Sequence, residues 1–251
     1  MQDIERQNNI LEYLRDHHSA TVEFLAETFY ASPSTVRRDL TALEKTGMVH
    51  RTHGGVIYND RIKELSILIR RTKNEDIKNR LTEETAAFIP DFNSIFIDNS
   101  STCFPLIKRL KLNKKLVVTN SLLIVREVDA LFDAKVIFLG GEYDIDNMSV
   151  SGPLTNENLM HFHFDLMVQS CTYVNSDGVF ENEYETACIK RLARERASHA
   201  ILVFDHTKLE RTAACKSADL SNFQLIVSDI DEKEKAVLSE NNPNLNFHLI
   251  Q

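Results

Sequence analysis

Apolar residues recur at helical spacing through the first forty-odd positions. Ile10, Leu11 and Leu14 form one set, Val22, Leu25, Ala26 and Phe29 a second, and Val36, Leu40 and Leu43 a third. Each set makes a single stripe along a 3.6-residue repeat, so three amphipathic helices are predicted around one small core. Tyr30-Ala31-Ser32 leaves only a short turn between the second and third helices, as a helix-turn-helix requires. The third helix is expected to start at Pro33, because the Ser32 hydroxyl can accept an orphan amide of the first turn and proline needs no N–H there. Gly47 is the expected left-handed stop. Gly54-Gly55, between Met48-Val49 and Val56-Ile57-Tyr58, has the chemistry of a tight hairpin. The module reads as a winged helix.

From Leu81 onward the pattern changes to short β-branched runs alternating with amphipathic stretches. Strands are expected at Ser94–Ile97, Leu116–Val118, Lys135–Leu139, Leu166–Val168, Ala200–Phe204 and Gln224–Val227, and helices around Phe104–Leu110, Leu122–Leu131, Thr186–Ala197 and Glu232–Ser239. Near-continuous apolar strands imply burial on both faces, hence a doubly wound, mostly parallel α/β domain. Between the two patterns, Arg61, Lys63, Arg70, Arg71, Lys73, Lys78 and Arg80 face only Glu64, Glu75 and Asp76. This reads as a basic linker entering a helix, either lying along DNA phosphates or forming a solvated hinge that packs on a partner subunit. The expected organisation is a winged helix-turn-helix domain over 1–58, a linker over 59–79 and an α/β sensing and oligomerisation domain over 80–251.

Composition permits this division: 251 residues, 43% hydrophobic and 26% charged, are enough for a small module and a domain with a sizeable core. The formal net charge of −8 argues against indiscriminate binding to nucleic acid, but a local positive face suffices for DNA. No apolar run approaches the roughly 20 residues needed to cross a bilayer, and the first residues lack signal-peptide character, so a cytoplasmic protein is expected. Cys103, Cys171, Cys188 and Cys215 are widely spaced and read as buried free thiols; neither metal nor cofactor is expected.

Opposite the Val36/Leu40/Leu43 stripe, Ser34, Arg37, Arg38, Thr41 and Lys45 project outward as donors for phosphates and base edges. Asp39 lies on the flank of the stripe and is expected to hold an arginine or cap a neighbour, since a carboxylate repels phosphate. A plain helical subdomain with a solvated Arg37-Arg38 pair is the alternative. The run Ser32-x-x-Thr35-Val36-Arg37-Arg38-Asp39-Leu40, then Leu43-Glu44, Gly47 and Arg51-x-His53-Gly54-Gly55, resembles the N-terminal signature of DeoR-type transcriptional repressors. That resemblance implies a double-stranded DNA operator as partner and adds Thr35, Arg51 and His53 to the contact set.

In open α/β sheets ligands bind beyond the carboxyl ends of the strands. Those ends are polar here: Asp98-Asn99-Ser100-Ser101-Thr102, Thr119-Asn120-Ser121, Gly140-Gly141 and Asp205-His206-Thr207-Lys208. Hydroxyls and amides there suit an anion, with Lys190 or Lys208 adding charge. Each feature also has a structural reading as a cap or turn. The order Asp-x-Gly-Thr-Thr, Thr-Asn, Gly-Gly, a helical Lys and Asp-x-x-Lys resembles the effector domain of the same family, similar in fold to ribose-phosphate isomerases. The resemblance implies a phosphorylated sugar effector and a homo-dimer or homo-tetramer. Two departures stand out: Ser100 replaces the loop glycine, and Gln169-Ser170-Cys171-Thr172-Tyr173 replaces a glycine-containing strand end, in a chain with seven glycines. The leading expectation is a sugar-phosphate-controlled repressor of carbohydrate genes rather than an enzyme. An isomerase-like enzyme using Asp98, Asp205, Glu185 and Lys190, or a DNA binder whose pocket has altered, are the alternatives.

Overall fold

The structure, a computed structural model, describes residues 3–45, 48–59, 66–209 and 212–250, the side chains of residues 3–5, 15, 16 and 45 excepted. The chain divides into two compact units, Met1–Lys73 and Asn74–Gln251.

The first unit contains α1 (Asp3–His17), β1 (Ser19–Thr21), α2 (Val22–Thr28), α3 (Pro33–Lys45), β2 (Val49–Thr52), β3 (Gly55–Tyr58) and α4 (Ile67–Thr72). Helix α3 begins at Pro33 because Ser32 Oγ accepts the Thr35 amide at 3.2 Å. The three helical stripes, apart from the partly buried Phe29 packed against them, are buried together with Met48, Val49, Val56 and Tyr58 of the wing, so helices and wing share one core. Strand β1, too short for an alternating pattern to register, pairs with β3 and makes it the centre of a sheet ordered β1-β3-β2. Thr52 pairs with Gly55, so the hairpin turn is His53-Gly54, with Gly54 at φ +87°, and Gly55 belongs to the strand. A Cβ on Gly55 would stand 2.7 Å from the Ala20 carbonyl oxygen, so the close approach of β1 requires glycine.

The segment expected as a linker carries α4 and the opening of α5 among its described residues. Ile67 is buried in α4, Ile69 packs on the module core, and Asn8 Nδ2 donates to Thr72 Oγ1 at 2.8 Å. Helix α5 already opens at Glu75. The basic charge of this stretch hid two apolar anchors that tie it to α1 and its core. Gly47, Arg61, Lys63 and Glu64 lie outside the described residues.

The second unit comprises α5 (Glu75–Phe88), β4 (Ser94–Ile97), a 3-10 helix (Phe104–Arg109), β5 (Leu116–Thr119), α6 (Leu122–Leu131), β6 (Lys135–Phe138), β7 (Glu142–Asp144), β8 (Ser149–Ser151) and α7 (Pro153–Leu159). It continues with β9 (Phe164–Gln169), β10 (Tyr173–Asn175), β11 (Gly178–Glu181), α8 (Tyr184–Glu195), β12 (Ala197–Phe204), β13 (Cys215–Ala218), β14 (Leu225–Ser228), α9 (Glu232–Leu238) and β15 (Phe247–Leu249), with 3-10 turns at His206–Lys208 and Leu220–Asn222. Seven parallel strands run in the order β15-β14-β12-β9-β4-β5-β6. Phe96, Val118 and Met167 are buried with Leu159, Ile189 and Ala193 of α7 and α8. The alternating residues Ile95, Ile97, Val117, Leu166 and Val168 are equally buried, so both faces are covered. Edge strand β6 is only partly covered. The segment after β4, expected as an α-helix, is a six-residue 3-10 helix with Pro105 in its first turn. Chain order reverses between β4 and β9, which makes their carboxyl ends the topological switch point of the sheet.

Candidate functional site

On the outer side of α3, Ser34, Arg37 and Arg38 are exposed, while Thr35 and Thr41 are half-buried. Ser32 Oγ lies 2.8 Å from both Ser34 Oγ and Thr35 Oγ1, so the first turn carries a cluster of hydroxyls. Arg37 reaches Glu23 at 3.5 Å, with both side chains more than half exposed, a pair that solvent screens. Arg51 Nη1 donates to Thr41 Oγ1 at 2.9 Å and its amide donates to Glu44 Oε1 at 3.0 Å, bracing the wing on α3. His53 stands exposed at the wing tip. The Lys45 side chain lies outside the described residues. Asp39 faces the core, fully buried, and accepts from Arg6 Nε at 2.6 Å and from Gln7 Nε2 at 3.0 Å.

One candidate on this side was missed. Tyr30, in the turn ahead of α3, is 95% exposed with φ +50°. An aromatic residue where a left-handed turn favours Gly or Asn was the available signal.

At the switch point, the residue after β4 is Asp98, 1% exposed. Its Oδ1 accepts the Ser100 amide at 3.0 Å, and its Oδ2 accepts the Ser170 amide at 3.2 Å and lies 3.2 Å from Lys190 Nζ. Lys190 also donates to the Ser170 carbonyl and to Glu181 Oε1, each at 2.8 Å. Thr172 Oγ1 donates to Glu181 Oε2 at 3.0 Å. Burial alone would depress the Lys190 ammonium, but Glu181 and Asp98 outweigh it and hold its pKa above the ordinary lysine value. Burial, against the pull of Lys190, pushes the Glu181 carboxyl up. Lys190 is thus a buried cation with three acceptors, not the loose phosphate ligand that its position on a helix invited. Glu181, half of this cluster, was missed because a lone Glu on a short antiparallel strand carries no motif.

The loop after β4 stands on its own polar bonds. Ser100 Oγ accepts the Cys103 amide at 3.2 Å, and Ser100 does not adopt a positive φ, so this loop closes without the glycine of the resembling pattern. Lys78 of α5, 5% exposed, donates to Ser101 Oγ at 3.1 Å. Reading Lys78 as part of a basic linker concealed it. Thr102 is buried, and Asn99 Nδ2 donates to Ser149 Oγ at 3.0 Å. Asn120 Nδ2 donates to the Val150 carbonyl at 3.2 Å, and the Thr119 hydroxyl accepts the Ser121 amide at 3.0 Å. The β7–β8 hairpin therefore returns onto the ends of β4 and β5.

Gly140 and Gly141 are not drawn into this cluster. The Gly140 carbonyl accepts from Thr155 Oγ1 at 2.7 Å, and a Cβ on Gly141, at φ +149°, would stand 2.0 Å from that hydroxyl, so the pair packs against α7. Asp205 is buried and caps the turn at His206–Lys208 by accepting the Thr207 amide at 3.1 Å. Lys208 is half-exposed at the rim. Burial and Glu181 raise the pKa of the Cys171 thiol, while Lys208 and Lys190 pull it down, so the Lys208 charge is felt one residue beyond Ser170. Glu185 is exposed on α8 and does not join Asp98 and Lys190. All four cysteines are free; Cys103 and Cys171 are buried, Cys188 and Cys215 half-buried. Among the described residues no helix is long and apolar enough to cross a membrane.

Comparison with known proteins covers both units. Residues 6–62 match the DeoR-like helix-turn-helix domain and residues 73–230 match the DeoR C terminal sensor domain. The chain is similar to the L-fucose operon activator of Haemophilus influenzae, 30% identical over 227 residues that span 89% of this chain and 91% of the relative. It is similar also to the glycerol-3-phosphate regulon repressor of Escherichia coli, 28% identical over 231 residues, 91% of this chain and 92% of the relative. Ribose 5 phosphate isomerase A from Neisseria gonorrhoeae is a distant structural likeness, 17% identical over 55% of each chain with a TM-score of 0.39.

Proposed function

Because the chain belongs to the DeoR family of transcriptional regulators, we propose that its first unit reads a DNA operator and that its second senses a phosphorylated sugar, the protein acting as a cytoplasmic repressor of carbohydrate genes. The observation that carries the DNA reading is the exposed Ser34, Arg37 and Arg38 face of α3, backed by the buried Val36, Leu40 and Leu43 and braced by Arg51 of the wing. Thr35, Thr41, Lys45, His53 and Tyr30 flank that face in sequence. Paired operators call for paired modules, and the proposed assembly is a homo-dimer or homo-tetramer.

Arg38→Ala is expected to remove ~1–3 kcal/mol of sequence discrimination with the fold unchanged, the worth of one bidentate base contact. Fluorescence anisotropy with intergenic duplexes flanking the gene, against scrambled duplexes of equal composition, reads this out. Undiminished preference for the native duplexes would show that α3 presents a different face.

The sensor reading is supported by the hydroxyl and amide loop Asn99–Thr102 with Lys78 bonded into it, by Asn120 and Ser121 beside it, and by Lys208 at the rim. Asp98 and Lys190 give the site its frame, and Asp205, Gly140 and Gly141 hold adjoining turns. An effector changes DNA affinity only by binding one arrangement of the assembly better than another. No enzymatic role is proposed, because Lys190 is protonated and engaged with three acceptors rather than poised as a base. Lys78→Met is expected to weaken phosphate esters about tenfold or more while sparing free sugars, since it deletes the charge beside the loop. Calorimetry on matched sugars and sugar phosphates measures it; equal losses for both would place the phosphate elsewhere.

A further inference from the structure

The C-terminal row of the switch point contains buried polar groups that the protein leaves without partners. Ile97 is in register with Val168 on one side and Thr119 on the other, so the next residues along the three strands, Gln169, Asp98 and Asn120, form one row. One step back, Phe96, Met167 and Val118 share the face packed by α8, and side chains two apart on a strand point the same way. Asp98 does turn to that face, where it meets Lys190. Gln169 is fully buried, yet neither its Oε1 nor its Nε2 has a hydrogen-bond partner; the Asn120 Oδ1 and Ser170 Oγ atoms are buried in the same condition. Lys190 cannot serve them, its three protons being taken by Ser170 O, Glu181 and Asp98.

Buried polar atoms in native proteins are almost always satisfied, and an exception asks for a missing partner. An amide with one free acceptor and two free donors, in one row with a free amide oxygen on the far side of Asp98, is matched by groups that both donate and accept. Hydroxyls spaced along a chain of several carbons do so across the two strand spacings, roughly 10 Å, that separate β9 from β5 on either side of β4. We infer that Gln169, together with Asn120 in the same row, reads the hydroxyls of the effector's carbon chain and is the specificity-determining residue of the sensor site.

This inference rests on the sugar-phosphate reading above. These atoms, buried and without partners in the free protein, gain them only when a ligand is bound. The unmatched atoms therefore favour the liganded arrangement, which is the differential affinity a sensor needs.

The test is Gln169→Met in the full-length protein, a near-isosteric change that deletes both unmatched groups. If the amide waits for a ligand, the free protein melts at the same temperature or about 2–4 °C higher, because an apolar replacement removes an uncompensated burial. Its affinity for pentose and hexose phosphates, relative to inorganic phosphate, falls about tenfold by calorimetry. If the amide is satisfied inside the protein, the variant melts lower, and that overturns the inference. Ester affinity relative to inorganic phosphate equal to that of the parent also overturns it, leaving the sensor reading standing. A parent protein that binds none of these esters overturns both.

Discussion

Lys190→Met is expected to destabilise the second unit by ~3–5 kcal/mol, the cost of removing one partner from a buried ion cluster. The substitution preserves length and most of the volume, so packing changes little. What it deletes is the ammonium that Asp98 and Glu181, 1% and 2% exposed, share at 3.2 and 2.8 Å. Burial already pushes the Glu181 carboxyl up against the pull of Lys190, and without that cation its folded-state pKa stands further above that of the unfolded chain. A raised folded pKa gives stability that is present below the unfolded carboxyl pKa and lost as pH rises through the folded one. The deficit of the variant is therefore largest at pH 7–8 and shrinks toward pH 5. Denaturant unfolding across that range measures it, and Lys190→Met combined with Glu181→Gln should recover part of the loss. A deficit below about 1 kcal/mol, or one flat with pH, would mean that the cluster opens to water.

The same cluster shows where sequence reading reached and where it stopped. Asp98 is legible at the sheet edge because strand-end position is a local property that a short apolar run makes visible, while Lys190 is drawn there only as a helical lysine able to add charge. Their mutual bond was not visible. It depends on the order reversal between β4 and β9, which brings residues 72 and 20 positions apart to Ser170, and no spacing in one chain encodes a crossover. Glu181 and Lys78 were passed over for the complementary reason. Each sits in a segment whose local character, a short strand and a basic stretch, outweighed the single charged residue.

In the first unit the legible part was larger, since Ser32, Pro33 and the Val36/Leu40/Leu43 stripe act within one helix. The three-residue β1 and the docking of α4 escaped because neither is long enough to carry a period. Among the glycines, Gly54 serves the turn as expected, while Gly55 is required by the approach of the Ala20 carbonyl at 2.7 Å, a contact from a strand that the sequence did not announce.

Asp39→Ala is expected to be the most damaging single change in the first unit, again by ~3–5 kcal/mol, although Asp39 adjoins the two arginines offered to DNA. Asp39 is fully buried and the Arg6 side chain is 8% exposed, and their 2.6 Å contact links α1 to α3 across the module core. Removing the carboxylate takes the acceptor from the buried Arg6 Nε contact and from Gln7 Nε2, at 2.6 and 3.0 Å. A module of this size is held by roughly 5–10 kcal/mol, so the loss brings it close to unfolding at growth temperature. Asp39→Asn keeps one acceptor oxygen while losing the charge, and should fall between the parent and the alanine variant. Circular dichroism of the full-length protein during melting gives the stability ranking. Anisotropy well below the lowered melting temperature then separates stability from recognition: the ratio of native-duplex to scrambled-duplex affinity should match the parent in both variants. Loss of that ratio at an unchanged melting temperature would move Asp39 from the scaffold to the DNA contact.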